Sequence, residues 1–166
     1  INLCSQALKS FMKGLENLPY RKGVGIMLLN QEAKVFIGKR IDNTKAWQMP
    51  QGGVDDKEDI ESAAKRELKE ETGITSIEII KKSEKEFIYD LPNELLGKIW
   101  DGKYKGQKQT WFLIKFTGSQ SEINIKQKKA EFYDWRWTDP LELPKLIVPF
   151  KKKLYEQVIE EFKTYL

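Results

Sequence analysis

Short runs rich in apolar and β-branched residues recur along the chain and predict strands. They are "GVGIMLLN" (23–30), "KVFIGKR" (34–40), "SIEIIKKSEKEFIYD" (76–90, long enough to break), "QTWFLIKF" (109–116) and "FYDWRWT" (132–138). Helical spacing occurs twice. Ile60, Ala63, Ala64 and Leu68 predict a helix from about Asp59 to Thr72, stopped by Gly73, while Leu154, Val158 and Phe162 predict another starting near Pro149. Strands with helices at two points suggest an α+β domain in which helices sandwich a mixed sheet. No repeat or low-complexity tract interrupts this pattern. Residues 1–18 read as an N-terminal extension, in part of leader character, with Met12 a candidate start, and residues 19–166 read as the domain.

The first helix carries an anomaly. At about 100° per residue, Glu67 and Glu71 fall inside the apolar stripe and Glu70 on its edge, with Lys65 and Lys69 on the opposite side. An acidic, solvated helix stitched by i,i+4 pairs such as Arg66 with Glu70 is one reading. Solvated acids, however, have no reason to share a core-facing stripe. Like carboxylates held on an inward face repel and are costly to desolvate, so the pattern calls for a cation.

Composition narrows which cation. The chain has no histidine and only one cysteine, Cys4, so metal ligands and general bases must be sought among carboxylates. Oxygen donors favour a hard ion such as Mg²⁺ or Mn²⁺ over Zn²⁺. The lone cysteine also excludes an internal disulfide framework and points to a reducing cytoplasm. With 166 residues, 40% of them hydrophobic, one core suffices. No apolar run approaches the roughly 20 residues that span a bilayer, so no membrane partner is expected. A net charge of +4 selects no partner class by itself.

Gly52, Glu58, Arg66, Glu67, Leu68, Glu70, Glu71, Gly73 and Ile74 match G-x5-E-x7-R-E-U-x-E-E-x-G-U (U aliphatic) at every defined position. This box resembles that of the Nudix hydrolases. "YRKGVG", "WQMPQGG", "GQKQTWF", "EFYDWRW" and "FKKKLY" extend the resemblance over residues 19–163, toward the family's bacterial branch of RNA pyrophosphohydrolases and dinucleoside polyphosphate hydrolases. It implies the Nudix αβα sandwich, with the box as loop, helix and loop, and a pyrophosphohydrolase that uses Mg²⁺, or Mn²⁺ in its place. The implied substrate is 5′-triphosphorylated or diphosphorylated RNA, converted to 5′-monophosphate RNA with a role in mRNA decay. Diadenosine tetraphosphate and similar dinucleoside polyphosphates are the alternative, and a catalytically silent nucleotide-binding regulator is a third reading.

The resemblance also implies roles. Glu70 and Glu71 are metal ligands, Glu67 is a ligand or the base that orients water, and the Gly52 carbonyl completes the coordination. Arg66 holds the glutamates with Glu58 as its other partner, while Gly53 and Gly73 support the box. Glu131 is a distant metal ligand or base, or else a surface charge beside "KQKK". Arg21, Phe150 and Lys151 map to base binding. Physical chemistry leaves several of these open. Arg40 and Lys39 suit a phosphate chain, Arg40 better through its planar fork, or they serve solubility at a sheet edge. Phe150 could equally be core, and "KKK" (151–153) a solvated helix face. Trp100, Trp111, Trp135 and Trp137 read as mainly structural. Protein partners are not legible.

Overall fold

The computed structural model describes residues 2–166. A seven-stranded sheet is formed by β1 (Tyr20–Leu29), β2 (Val35–Arg40), β3 (Trp47–Gln48), β4 (Gln51–Gly53), β5 (Ile77–Asp90), β6 (Gly106–Phe116) and β7 (Phe132–Thr138). The α-helices are α1 (Asn2–Glu16), α2 (Ile60–Thr72), α3 (Leu143–Leu146) and α4 (Lys152–Phe162). The sheet is mixed: β1 runs parallel to β6, from Tyr20↔Gly106 to Leu29↔Lys115, and the other pairs are antiparallel. β1 meets β2 only at Leu29↔Val35, because its first half pairs with β4 through Gly23↔Gly53. β2 instead continues the sheet with β3 and β7.

Strand alternation assigns the two faces of β1. Val24, Ile26 and Leu28 pack in one core with Ala63, Ala64 and Leu68 of α2. Met27 and Leu29 join the other core, with Leu154, Tyr155, Val158 and Phe162 of α4. Both faces are therefore covered, which is why β1 reads as a continuous apolar run and why the architecture is an αβα sandwich.

The predicted helix bounds agree with the caps. Asp59 takes the N-cap, its carboxylate accepting from the Ser62 N–H, and Gly73 closes α2 at φ 74° with its N–H on the Lys69 carbonyl. The segment expected to break, 76–90, is one strand with register shifts between Ile79 and Lys81 and between Lys82 and Glu86, so it bends instead. The helix expected near Pro149 begins as a 3₁₀ turn, Pro149–Lys151, that runs into α4. The short strands β3 and β4 were not foreseen, nor was α1, which buries none of its residues and leaves Leu3, Leu8 and Phe11 exposed. No described helix is long and apolar enough to cross a membrane.

Candidate active site

α2 presents its acids in graded environments. Glu71 is only 1% exposed, Glu67 is nearly buried, and Glu70 stands at the edge with its side chain 40% exposed. The solvated-helix reading therefore fails at Glu71. Burial raises the Glu67 pKa to about 7, against the opposing pull of Arg66, and burial followed by the charges of Glu131 and Glu67 pushes Glu71 well above the usual carboxylate range. Only one oxygen of Glu71 is satisfied. The Gln51 N–H donates to Oε2 at 3.3 Å, and Oε1 is buried without a partner. A buried, unpartnered carboxylate oxygen is costly unless another group, such as a cation, joins it.

Arg66 organises this cluster. Its Nε and Nη2 grip Glu58 at 2.7 and 2.9 Å, Nη1 donates to Glu67 at 2.9 Å and to Glu70 at 3.2 Å, and Nη2 also reaches the Gly53 carbonyl at 2.9 Å. One guanidinium thus ties the loop before α2 to two of its acids. That bond lowers the Glu58 pKa, and hydrogen bonding to Glu58 raises that of Arg66. The two glycines are explained by close approach: a Cβ on Gly52 would lie 1.9 Å from the Glu67 carboxyl carbon, and one on Gly53 would lie 2.3 Å from Arg21 Nη2. Among the described residues, no three acidic, histidine or cysteine side chains are placed to hold a metal ion together.

A cleft of about 750 Å³ opens beside the cluster, lined by Gly52, Gly53, Glu67 and Glu131 together with Arg21, Arg40, Phe150 and Lys151. Glu131 is brought there by pairing beyond the end of β2, where the Ile41 N–H donates to its carbonyl at 3.0 Å. Partial desolvation raises its carboxyl pKa, opposed by Arg40. Glu131 thus lines the cleft while the residue stays exposed.

The cations divide differently from the sequence expectation. Arg40 lines the cleft but is already in a bidentate pair with Asp42, Nε to Oδ1 at 2.7 Å and Nη2 to Oδ2 at 2.5 Å. Lys39, expected to join it on phosphate, does not line the cleft. A register shift between Lys39 and Arg40 separates them, and Lys39 Nζ lies 5.4 Å from the Trp47 ring centroid and 5.7 Å from that of Tyr133. Lys151 departs from the solvated-face reading: it is 4% exposed, unlike Lys152 and Lys153, and its Nζ sits 4.9 Å from the Tyr89 ring centroid. Burial, then repulsion from Arg40, depresses its pKa to about 7. Phe150 packs against Tyr89 at 6.0 Å, as the core reading expects, and it also lines the cleft.

Trp100 packs against the α4-side core, in keeping with its structural reading, and it also lines the cleft, where the Arg21 guanidinium lies 5.3 Å from its ring centroid. Its φ of 52° is unusual for a bulky residue. Sequence gave no cue to that conformation. Trp111, Trp135 and Trp137 likewise pack in or against the cores. The sequence reading also passed over the amides: Gln51 and Gln48 line the cleft, Gln109 Nε2 bonds Gln51 Oε1 at 3.0 Å, and Gln48 Oε1 is buried without a partner. Their presence in the strand-like "WQMPQGG" and "GQKQTWF" was the available signal.

A family model described as NUDIX domain matches residues 19–158. The RNA pyrophosphohydrolase of Novosphingobium aromaticivorans is 52% identical over 154 residues, covering 90% of this chain and 96% of the relative. That of Sphingopyxis alaskensis is 54% identical over 150 residues, covering 89% and 95%. Among solved structures, the E. coli dihydroneopterin triphosphate pyrophosphohydrolase superposes with a TM-score of 0.67 at 20% identity, covering 84% of this chain and 96% of that one.

Proposed function

The chain belongs to the NUDIX family, and from that membership and the chemistry of its cleft we propose that it converts 5′-triphosphorylated or diphosphorylated RNA to 5′-monophosphate RNA. We assign the hydrolase domain to residues 19–166, with residues 1–18 as an extension, acting in the reducing cytoplasm. The observation that carries the reading is one cleft lined both by Glu67 and Glu131 and by Arg21, Arg40 and Lys151. A polyphosphate needs cations for its oxygens and acids to manage an ion and a water. The relatives named RNA pyrophosphohydrolase, about half identical over nearly their whole length, support RNA as the carrier of that polyphosphate.

Nudix hydrolases generally use divalent metal ions, and the residues present suit Mg²⁺ or Mn²⁺. Glu67, Glu70, Glu71, Glu131 and the Gly52 carbonyl offer only oxygen donors, and the unpartnered Glu71 Oε1 is a group such an ion would satisfy. When bound, such an ion would supply charge neutralisation at the phosphoanhydride oxygens and would acidify the attacking water. Arg66 holds Glu67 and Glu70 in orientation. Glu67, where it does not itself hold the ion, is one candidate to take a proton from the attacking water, and Glu131 is the other. Incoming phosphate competes with Asp42 for the Arg40 fork. At Lys151 the charge of a bound phosphate draws the ammonium pKa back up, so binding takes up a proton there. Phe150 and the Arg21–Trp100 pair provide flat surfaces for the first base.

Incubation with Mg²⁺ and either triphosphorylated RNA or diadenosine tetraphosphate tests the reading. Release of pyrophosphate from RNA at the higher kcat/KM is expected. Faster formation of ATP and AMP from the dinucleotide would make that the substrate, and no product from either would leave a silent binding protein.

A further inference from the structure

The outer face of β2, β3 and β7 carries the cations Lys39 and Arg136, which form no ion pair although Asp134 stands opposite Lys39 in the register. Lys39 and Arg136 lie 5.4 and 4.6 Å from the Trp47 ring centroid, and Lys39 also lies 5.7 Å from that of Tyr133, whose side is 49% exposed. Among the described residues, neither Lys39, Lys45 nor Arg136 has a carboxylate within ion-pair distance. Asp134, opposite Lys39 in register, is the acid nearest in the strand pairing. An aromatic ring attracts a cation through its quadrupole but does not neutralise it, so the patch keeps a positive charge.

Along the chain this face borders residues of the cleft. Lys39 stands next to Arg40 and Trp47 next to Gln48, and in each pair the second residue lines the cleft. Tyr133 follows the cleft residue Glu131 by two positions, and its hydroxyl donates to the Thr44 carbonyl at 3.2 Å, in the loop whose Ile41, Asp42 and Asn43 form part of the cleft wall. A chain whose 5′ end is seated in the cleft and which leaves over this loop meets the patch directly. Two cations that form no ion pair, beside an exposed aromatic ring, suit single-stranded nucleic acid: charge for phosphates and a ring for a base.

We propose that Lys39, Arg136 and Tyr133 form a track for the RNA nucleotides downstream of the reacting 5′ end, so that the enzyme prefers oligonucleotides over short substrates. This rests on the RNA reading of the cleft, but it concerns residues outside it.

The test uses the full chain with Mg²⁺ and triphosphorylated RNAs of two and eight nucleotides. The wild type should show a lower KM for the octanucleotide. The Lys39→Gln/Arg136→Gln double variant should lose about tenfold in octanucleotide KM and flatten its salt dependence, with the dinucleotide's kcat and KM unchanged. Tyr133→Ala should weaken octanucleotide binding and Tyr133→Phe should not, since the base needs the ring. Binding of a 5′-monophosphate octanucleotide, followed by fluorescence anisotropy, should weaken in the double variant in parallel. Hydrolysis of both RNAs with equal KM by wild type and variant would overturn the track while leaving the cleft's activity standing, and would turn the face over to a protein partner. Equal losses on both lengths would place these residues in the cleft's own chemistry and also overturn it. Failure of the wild type to act on either RNA would remove the reading of the cleft itself, and the track with it.

Discussion

Arg66 and Glu58 form a two-pronged ion pair, Nε to Oε2 at 2.7 Å and Nη2 to Oε1 at 2.9 Å, and the same guanidinium orients Glu67 and Glu70. A lysine at position 66 has its donors on a single nitrogen and cannot reproduce the planar fork that spans Glu58 and still reaches the other acids. Arg66→Lys and Glu58→Gln should each lower apparent Mg²⁺ affinity or activity by about 10- to 100-fold. A metal titration of turnover rate measures this, and an unshifted curve for both variants would show that the ion pair is only structural.

Glu70 and Glu71 should separate in stability although both are needed for rate. Either Glu→Gln change is expected to cost orders of magnitude in kcat. In EDTA, Glu71→Gln should melt at the wild-type temperature or higher, because it removes a buried acid whose ionisation is disfavoured and whose Oε1 has no partner. Glu70→Gln should give no such gain, since it gives up an ion pair to Arg66. Thermal melts beside initial rates decide the matter; near-normal turnover by either variant at saturating Mg²⁺ would refute the ligand assignment.

Gly52→Ala tests the seat of Glu67. The added methyl would fall 1.9 Å from the Glu67 carboxyl carbon, so the carboxylate must move. A displacement of about 1 Å at a reacting group costs on the order of 100-fold in rate, which is the expected loss. Circular dichroism should remain native. A variant with full activity would mean that Glu67 works from some other position.

The metal-free protein should lose stability between pH 4.5 and 7. Glu67 titrates near 7 when folded and 4.5 when unfolded, so the native state holds more protons across that window and stability falls as pH rises. The raised pKa values of Glu71 and Glu131 act in the same direction. Above pH 7 the sign reverses for Lys151, whose depressed pKa makes the native state hold fewer protons than the unfolded chain up to about 10.5. Melting temperature in EDTA should therefore dip near neutrality, by an amount worth up to about 3 kcal/mol for Glu67 alone. Mg²⁺ should fill in the dip, and Glu67→Gln should make its acid side shallower. A melting temperature that climbs steadily from pH 5 to 7 would contradict the burial argument.

The α2 segment could be read almost completely from the sequence, because everything that decides it is local. Asp59 and Gly73 cap it through neighbouring backbone groups, and the 100° period sets Glu67 and Glu71 among Ala63, Ala64 and Leu68 whatever the helix packs against. Both-sided burial of β1 was equally plain in its unbroken apolar run. At β2 the local rule runs out: alternation says that Lys39 and Arg40 diverge, but which of them meets the cleft depends on the pairing with β7 and the register shift there. Lys151 lay within reach, three residues before Leu154 and seven before Val158 and hence on the buried stripe of α4, yet lysine's ordinary hydration argued for solvent. The meeting of Arg21 with Trp100, and of Glu131 with α2, joins segments about 60 to 80 positions apart. Such meetings are products of sheet order and loop path, on which neither local periodicity nor composition bears, so only the tertiary structure could decide them.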